Sequence, residues 1–420
     1  MKPRVWMVFI LLSALAQGVD LRARVRESPG YQALLLQRAQ AEASWEAAQK
    51  GLAPTLFPQG SYSRSPLGQE SLALGLGGSL ALPWGQGQEA LRNAEIAYRQ
   101  ALADLLSQEN ALFQTALTQY LDAYLAALDR ELAQKRLAWR EAQLQAVRDQ
   151  REKGQATFQD LLEAEGNLAE AQAEALRAEL AFSLAQARLR GTLGQEVELV
   201  PLPLPTEVPA LEAALARRDR RPDVLKARLA VAEAEEALAQ ARRDRFFPEV
   251  TLGLTAQEGA AAFTLGLNLK AGTLSYGGQY AFLGQGAGGV SFQVQASLPL
   301  LSPGQDAQLS LKEKALAQAQ LALKSAERAA ELDLRAKHQA LQQAQAQVEV
   351  ASKALRAAEN SWEVAKGRLQ AGTGTILEVM QAEVGLLQAR RTLEGAKAAF
   401  LQAYYALLDA MGESLVGGAE

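Results

Sequence analysis

The sequence contains no cysteine, which excludes disulfide bonds, thiolate metal sites, a cysteine nucleophile and a lipoprotein anchor. Its single histidine, His338, lies in a long helical tract with neither a metal-ligand pattern nor a nucleophile nearby. The glycine-rich stretch at 284–289 lacks the lysine and the helix of a phosphate loop. We therefore predict a protein that is not an enzyme and that has no cofactor and no metal site.

An excess of basic residues is also missing. The 420 residues include 43 Lys and Arg against 47 Asp and Glu, which gives a formal net charge of −4. Nucleic-acid binding depends on positive charges that neutralise phosphates. We therefore expect no nucleic-acid partner.

Long apolar runs are absent apart from a short one near the N-terminus. Lys2 and Arg4 precede an apolar run at 5–12, and small residues follow up to Ala16. This order is typical of a secretory signal peptide, whereas an uncleaved anchor needs about 20 apolar residues. We predict a signal peptide at residues 1–16 and export of the chain.

Proline is nearly absent from six tracts that are rich in Ala, Leu, Gln, Glu, Arg and Lys, and these tracts predict helices. They comprise residues 31–50, 86–151, 157–191, 222–245, 304–369 and 375–411. In the fifth tract, apolar residues recur every seven positions from Leu334 to Leu369, and an earlier set from Leu309 to Leu323 is offset by four. This spacing predicts a coiled coil with one stutter. A tract of this length extends on the order of 100 Å at about 1.5 Å per residue, so we expect an elongated molecule.

The chain is an internal duplication. Residues 153–161 (KGQATFQDL) return at 371–379 (AGTGTILEV), and the similarity continues beyond the loop at the offset that separates Gly154 from Gly372. A register without gaps over roughly forty residues is typical of a repeated structural unit. We predict two tandem copies of one unit.

Short tracts between the helices alternate apolar residues with small or hydrophilic ones. They lie at residues 72–84, 250–254 and 290–300. Such alternation suits a membrane β-barrel, with lipid on one side and water on the other. A half-buried sheet in a soluble domain has the same pattern, and the strands alone leave both interpretations open.

Three local motifs carry a resemblance to a known family. Residues 221–224 (Arg-Pro-Asp-Val) open a helix that ends at 246–248 (Phe-Phe-Pro) and continues into a strand. Residues 28–31 (Ser-Pro-Gly-Tyr) begin a looser copy of this arrangement, and residues 372–379 are similar to the family's inter-helix turn and the helix after it. Over essentially its whole mature length, the chain resembles an outer-membrane efflux protein of the TolC family.

The resemblance implies a mainly α fold with a β-barrel part. Each tandem-duplicated protomer would contribute four strands to a trimeric 12-stranded outer-membrane barrel and long antiparallel coiled-coil helices to a periplasmic α-barrel. The expected division is a first repeat at 17–200 with strands at about 54–84, a Pro-rich linker at 201–221, a second repeat at 222–412 with strands at about 248–300, and a tail at 413–420.

Residues 262–283 depart from the family pattern, because they predict two extra strands around Gly277 and Gly278. We assign them to an extracellular hairpin. Additional barrel strands remain the alternative.

The implied function is a passive trimeric exit duct of a tripartite efflux pump or a type I secretion system. The expected partners are two further copies of the chain, a periplasmic adaptor protein, an inner-membrane transporter and outer-membrane lipid. The expected location is the bacterial outer membrane, with a helical extension in the periplasm. The alternative is a periplasmic coiled-coil scaffold or adaptor without a membrane barrel.

Two turns between long helices are the expected adaptor-docking tips, since glycines permit tight helix reversal and leave backbone exposed. The candidate docking residues are Gly154, Gln155, Ala156, Thr157, Gly372, Thr373, Gly374 and Thr375. The alternative is that these glycines serve the helix reversals alone.

The family also bears acidic residues just beyond these turns, around the closed pore entrance. Glu378 occupies the matching position, its repeat partner is Asp160, and Glu163 lies one turn further along, so these three residues are the candidates. Carboxylates around a narrow pore would attract cations, although a solvated helix face explains each one equally simply. Leu369 and Gly374 stand where TolC has the tyrosine and arginine of its closing network, which leaves two alternatives, a missing polar latch or a different one.

Overall fold

A computed structural model of the chain describes residues 20–64, 70–82, 84–283, 288–297 and 303–417. The predicted signal peptide at residues 1–16 lies outside the described residues. So do residues 298–300 of the last predicted strand tract and the final three residues of the tail.

The described residues are mostly helical. The α-helices are α1 (Leu21–Glu27), α2 (Pro29–Lys50), α3 (Gln86–Glu152), α4 (Phe158–Leu193), α5 (Leu211–Ala216), α6 (Pro222–Phe246), α7 (Pro303–Gln370) and α8 (Ile376–Ala410). The six long helices begin and end within two residues of the predicted limits. Proline occupies the first position of α2, α6 and α7, where its missing N–H costs no helical hydrogen bond.

Within the described part of the chain, no helix is both long enough and apolar enough to cross a membrane.

The chain divides into two compact units. Unit 1 contains the described residues 20–35, 106–221 and 329–417. Its core joins residues from both repeats and includes Phe113, Leu117, Tyr120, Leu334, Leu341, Leu407 and Leu415. The Tyr120 hydroxyl donates to the Val200 carbonyl at 2.8 Å and accepts from the Val200 N–H at 2.9 Å, which attaches the segment just before the inter-repeat linker to this core.

Ion pairs join α3 to the second repeat inside unit 1. Arg391 on α8 makes two hydrogen bonds to the Asp129 carboxylate on α3, at 2.7 and 3.0 Å. Lys135 on α3 approaches Glu383 at 2.8 Å. The bidentate geometry of the arginine pair fixes the register of these two helices.

A buried asparagine closes the C-terminal end of α8. Asn110 is 1% exposed, its amide donates to Asp409 at 2.8 Å and to the Glu413 carbonyl at 2.9 Å, and its oxygen accepts from the Leu415 N–H at 2.9 Å. Asn110→Ala leaves the Leu415 N–H without its partner, at a cost of about 1–3 kcal/mol in the free energy of unfolding. Thermal unfolding in detergent measures this loss.

The control for this variant is Gln114→Ala. Gln114 donates to the other oxygen of the Asp409 carboxylate, at 2.9 Å, from a half-buried position. The expected loss is smaller, because no buried backbone N–H loses its acceptor. Equal losses in the two variants would contradict this account of Asn110.

Unit 2 contains residues 36–105 and 222–328, and its centre is an antiparallel sheet. The strands are β1 (Thr55–Arg64), β2 (Glu70–Ala81), β3 (Glu249–Glu258), β4 (Ala261–Asn268), β5 (Thr273–Leu283) and β6 (Gly289–Ser297). Their order across the sheet is β1-β2-β5-β4-β3-β6. Strands of the first repeat therefore pair with strands of the second.

The mainly α fold with a strand region from each repeat is as predicted, but the sheet differs from the expected four strands and separate hairpin. Within the residues that the structure describes, the sheet has six strands, and residues 262–283 form most of β4 and β5 between β2 and β3. Gly277 and Gly278 lie inside β5, and the chain reverses instead at residues 269–272, where Gly272 has a φ of +63°. Because glycines are common in turns, Gly277 and Gly278 were mistaken for a turn although they lie within a strand.

Candidate functional sites: two helical turns and one sheet face

The first turn joins α3 to α4 in unit 1. Gly154 has a φ of +71°, and its N–H donates to the Arg151 carbonyl at 2.9 Å, while the Gln155 N–H donates to the Gln150 carbonyl at 2.8 Å. These bonds satisfy the last carbonyls of α3 and require a left-handed residue, which favours glycine. A Cβ on Gly154 would meet nothing within 4 Å, so the backbone conformation, and not crowding, favours glycine here.

Thr157 caps α4 with a reciprocal pair of hydrogen bonds. Its hydroxyl accepts from the Asp160 N–H at 3.2 Å, and its own N–H donates to the Asp160 carboxylate at 2.7 Å. Hydrogen bonds from the Thr157 hydroxyl and then from its N–H hold the pKa of Asp160 below its ordinary value of 3.8. The ionised Asp160 carboxylate therefore stabilises the start of α4. This stabilisation is complete above pH 3.8 and is lost as the pH falls through the lowered pKa of Asp160.

We expect Thr157→Ala to loosen the first turn of α4. An N-cap side chain contributes about 1 kcal/mol, so amide hydrogen exchange in that turn is expected to accelerate about fivefold. The control is Ser183→Ala, which removes an exposed hydroxyl bonded to the Leu180 carbonyl in the middle of α4. Equal acceleration of the first turn in both variants would argue against a capping role for Thr157.

The second turn joins α7 to α8 and repeats this design. Gly372 has a φ of +74°, and the N–H groups of Thr373 and Gly374 donate to the Arg368 carbonyl at 2.9 and 3.0 Å. The Thr375 hydroxyl accepts from the Glu378 N–H at 3.3 Å. Backbone hydrogen bonds close both turns in the same way, so the two turns have similar surfaces.

Backbone packing explains the glycine at 374, where TolC has an arginine. A Cβ on Gly374 would lie 2.9 Å from the Arg368 Cβ and 3.2 Å from the Leu369 nitrogen. A side chain at this position would force the turn to shift. The departure from the family pattern is therefore built into the local geometry of the second turn.

The candidate tip residues are mostly exposed. Ala156 and Gly374 are half-buried, whereas Gly154, Gln155, Thr157, Gly372, Thr373 and Thr375 are exposed. Each turn brings its own four candidates together.

The candidate acidic residues Asp160, Glu163 and Glu378 are also exposed, within the first two turns of α4 and α8. The carboxylate of Asp160 additionally serves the cap of α4.

Sequence reasoning missed an apolar residue beside each turn. Phe158 is 61% exposed and Ile376 is 58% exposed, although both are large and apolar. They are the first residues of α4 and α8 and occupy equivalent positions in the two repeats. An apolar residue at the start of both repeated helices was the signal that could have identified them.

The sheet in unit 2 has one continuous apolar face. We define it by Leu56, Tyr62, Leu72, Leu74, Leu76, Leu80, Val250, Leu252, Leu254, Phe263, Leu265, Leu267, Leu274, Tyr276, Tyr280, Val290, Phe292 and Val294, which the strand registers align on one side. Leu76 is 54% exposed and Phe292 is 68% exposed. A continuous apolar area of this kind is typical of contact with lipid or with protein.

The opposite face, here called the polar face, carries mainly Ser, Thr, Gln and Gly. On it the Thr55 and Ser79 hydroxyls lie 2.9 Å apart across β1 and β2, and those of Ser63 and Ser71 lie 2.8 Å apart. Polar side chains thus face one another between neighbouring strands. One face suits a hydrocarbon environment and the other suits water.

Known structures share this fold. The outer membrane protein VceC of Vibrio cholerae superposes with a TM-score of 0.68 at 19% identity, covering 93% of this chain and 95% of VceC. The open state of the Neisseria gonorrhoeae MtrE outer membrane channel gives 0.64 at 21% identity, covering 94% and 89%. The Campylobacter jejuni CmeC outer membrane channel gives 0.67 at 15% identity, covering 94% and 86%.

A comparison with curated protein sequences found no significant match. The family model for outer membrane efflux proteins, in contrast, matches residues 25–195 and 213–413, one segment in each repeat. Together these segments cover most of the sequence, in agreement with the resemblance found from the motifs. The chain therefore belongs to the outer membrane efflux protein family.

Proposed function

We propose that three copies of this chain form a passive exit duct that an energised inner-membrane transporter supplies through a periplasmic adaptor. Family membership confirms two predictions. The protein is an efflux channel and not an enzyme, and it lies in the outer membrane with its helices extending into the periplasm. The observation that supports the duct most directly is the exposed apolar face of the sheet, backed by a polar face. A periplasmic scaffold would have no use for such an apolar face.

Open sheet edges support assembly from several copies. The outermost strands, β1 and β6, each have one neighbour in the sheet of a single chain. Unpaired backbone groups are costly in hydrocarbon, so a membrane sheet must close on itself. Neighbouring copies can achieve this closure by pairing β6 of one with β1 of the next.

The two helical turns are the proposed adaptor-docking sites. Their candidates are Gly154, Gln155, Ala156 and Thr157 in the first turn and Gly372, Thr373, Gly374 and Thr375 in the second. The exposed side chains of Phe158 and Ile376 would add apolar contact area next to the polar turns. Duplicated turns would give the adaptor similar contacts with both repeats.

The acidic residues beyond the turns are the proposed lining of the pore entrance. Three copies each of Asp160, Glu163 and Glu378 would attract cations and repel one another electrostatically. The closing contacts proposed here differ from those of TolC, because the glycine at position 374 has no side chain to contribute to them.

The first test is the detergent-corrected mass of the protein extracted from an outer-membrane fraction. We expect three times the mass of the mature chain, with the full chain being 45.1 kDa. A monomer that remains in solution without detergent would overturn the duct and favour the scaffold.

A further inference from the structure

The hairpin of β4 and β5 is an insertion in the middle of the sheet. Its β5 pairs with β2 from Leu74 opposite Tyr280 to Ala81 opposite Thr273, and its β4 pairs with β3 from Glu258 opposite Ala261 to Thr251 opposite Asn268. The hairpin therefore separates the two strands of the first repeat from the two remaining strands of the second.

The turn of this hairpin lies at the end of the sheet where the helices begin. The Leu82 N–H donates to the Gly272 carbonyl at 2.7 Å, and the Trp84 indole N–H donates to the Leu269 carbonyl at 3.2 Å, immediately before α3. Lys270 donates to the Asp244 carbonyl at 3.0 Å, near the end of α6. β5, with 11 residues, thus extends along most of β2, and β4, with eight residues, pairs with β3 from Thr251 to Glu258.

The inserted strands continue both faces of the sheet. On the apolar face, Leu265 of β4 lies between Leu254 of β3 and Tyr276 of β5. On the polar face, Thr264 lies between Thr255 and Gly277. Because alternation and register agree with those of the flanking strands, β4 and β5 meet the same two environments as their neighbours.

The direction of the two edge strands permits closure with all six strands retained. β1 leads away from α2 and β6 leads back towards α7, so the edges of one sheet run antiparallel to each other. Pairing β6 of one copy with β1 of the next therefore continues the antiparallel order. The strand number of a closed trimer remains even, as is usual for bacterial outer-membrane barrels.

From this arrangement, and resting on the trimeric duct proposed above, we infer that β4 and β5 are membrane-spanning strands and that three chains enclose an 18-stranded barrel. The resemblance implies twelve strands. Since barrel diameter grows roughly linearly with strand number, the lumen would be about 1.5 times wider and its cross-section about twice as large. The barrel would pass bulky polar solutes, and the limit on cargo size would lie in the helical part of the duct.

Strand placement can be tested inside one chain, because the sequence has no cysteine to interfere. Ser79 of β2 and Ser275 of β5 are directly paired on adjacent strands, near the end of the sheet where the helices begin. In the double variant Ser79→Cys with Ser275→Cys, we expect an intramolecular disulfide in intact outer membranes, since paired strand residues lie within disulfide range. A hairpin outside the barrel would leave the two thiols far apart.

The matched control is Ser71→Cys with Ser275→Cys. Ser71 lies on the same strand and face as Ser79 but at the opposite end, where it pairs with Ser63. Eight residues of a strand separate the two positions by about 26 Å, so we expect no disulfide. A disulfide in the control alone, or in neither variant, would overturn the inserted position of β4 and β5.

Strand counting by electron cryomicroscopy of the unmodified protein completes the test, independently of the cysteine variants. A trimer with 18 strands supports the inference. A trimer with twelve strands overturns the inference and leaves the proposed duct intact. A protein that is not a trimer overturns the duct and the 18-stranded assembly together, while the disulfide still reports the placement of β4 and β5.

Deleting the hairpin provides a second measurement. Removing residues 261–283 would bring β2 beside β3, and these strands also run antiparallel. We expect a four-stranded contribution and a trimer with twelve strands, whose barrel is about two thirds as wide as that of the full chain. An unchanged barrel width in the images of the two trimers would overturn the inference.

Discussion

Leu254→Arg is expected to prevent most of the protein from reaching its folded form in the outer membrane. Leu254 lies on the apolar face in the middle of β3, opposite Leu265 and Phe292. Arginine on the lipid-facing side of a barrel costs about 2–4 kcal/mol at the centre of the bilayer. The ratio of folded to unfolded protein should fall roughly 30-fold or more, as measured by heat-modifiable migration of the membrane fraction on gels.

The control for Leu254→Arg is the neighbouring Thr255→Arg. Thr255 lies on the polar face, opposite Thr264 and Ser291. We expect near-normal folding of this variant, since a long charged side chain extends into water there. If Thr255→Arg were the more damaging change, the assignment of the two faces would be reversed, and equal damage would contradict a lipid-facing side.

The double variant Phe158→Glu with Ile376→Glu is expected to abolish efflux while leaving the trimer intact. Both side chains are exposed beside the turns, so replacing them disturbs little inside the chain. Burying a large apolar side chain against a partner contributes about 1.5 kcal/mol or more, so each substitution should weaken adaptor binding about tenfold. Binding of purified adaptor to immobilised trimer measures the loss, and cellular efflux reports its consequence.

Gln159→Glu is the matched control for the double variant. It places a new carboxylate beside Phe158 without removing apolar area, and position 159 is exposed. We expect adaptor binding within about twofold of the unmodified protein, since exposed charges contribute little. Equal losses in the control and the double variant would show that added charge, and not lost apolar contact, causes the effect. Full binding by the double variant would remove these two residues from the docking site.

Local sequence patterns predicted the helices well. Long runs of Ala, Leu, Gln and Glu favour helix at every position, and prolines and glycines mark the ends, as at Pro222 and Gly372. Duplication strengthened this prediction, because the same turn at Gly154 and Gly372 appears twice. The family resemblance added the channel fold, which the family match confirms.

The sheet was harder to predict for a physical reason. Alternation assigns a residue to a face but does not name the neighbouring strand, and pairing partners are distant in the sequence. Gly277 and Gly278 resembled a turn, yet they lie in β5. Gly277 is opposite Gly77 of β2, and Gly278 is opposite Leu76. A Cβ at Gly277 would lie 3.2 Å from the side chains of Gln59 and Thr264, which are neighbours only once the strands are paired.

The exposed residues at the tips were only partly predictable. The turn glycines agreed with helix-capping rules, whereas Thr157, which the sequence placed inside the helix, is its N-cap residue. Phe158 and Ile376 are equivalent apolar residues in the two repeats, but only the packed hairpins show that both side chains are exposed.

By itself, the sequence determined the helices, the duplication, the two-sided character of the strands and the absence of cysteine chemistry, because each depends on local composition and periodicity. Only the tertiary structure decided that β4 and β5 lie inside the sheet and that an asparagine closes the end of α8. Strand order and buried polar contacts depend on which distant segments meet. That choice is made by the packing of the whole chain.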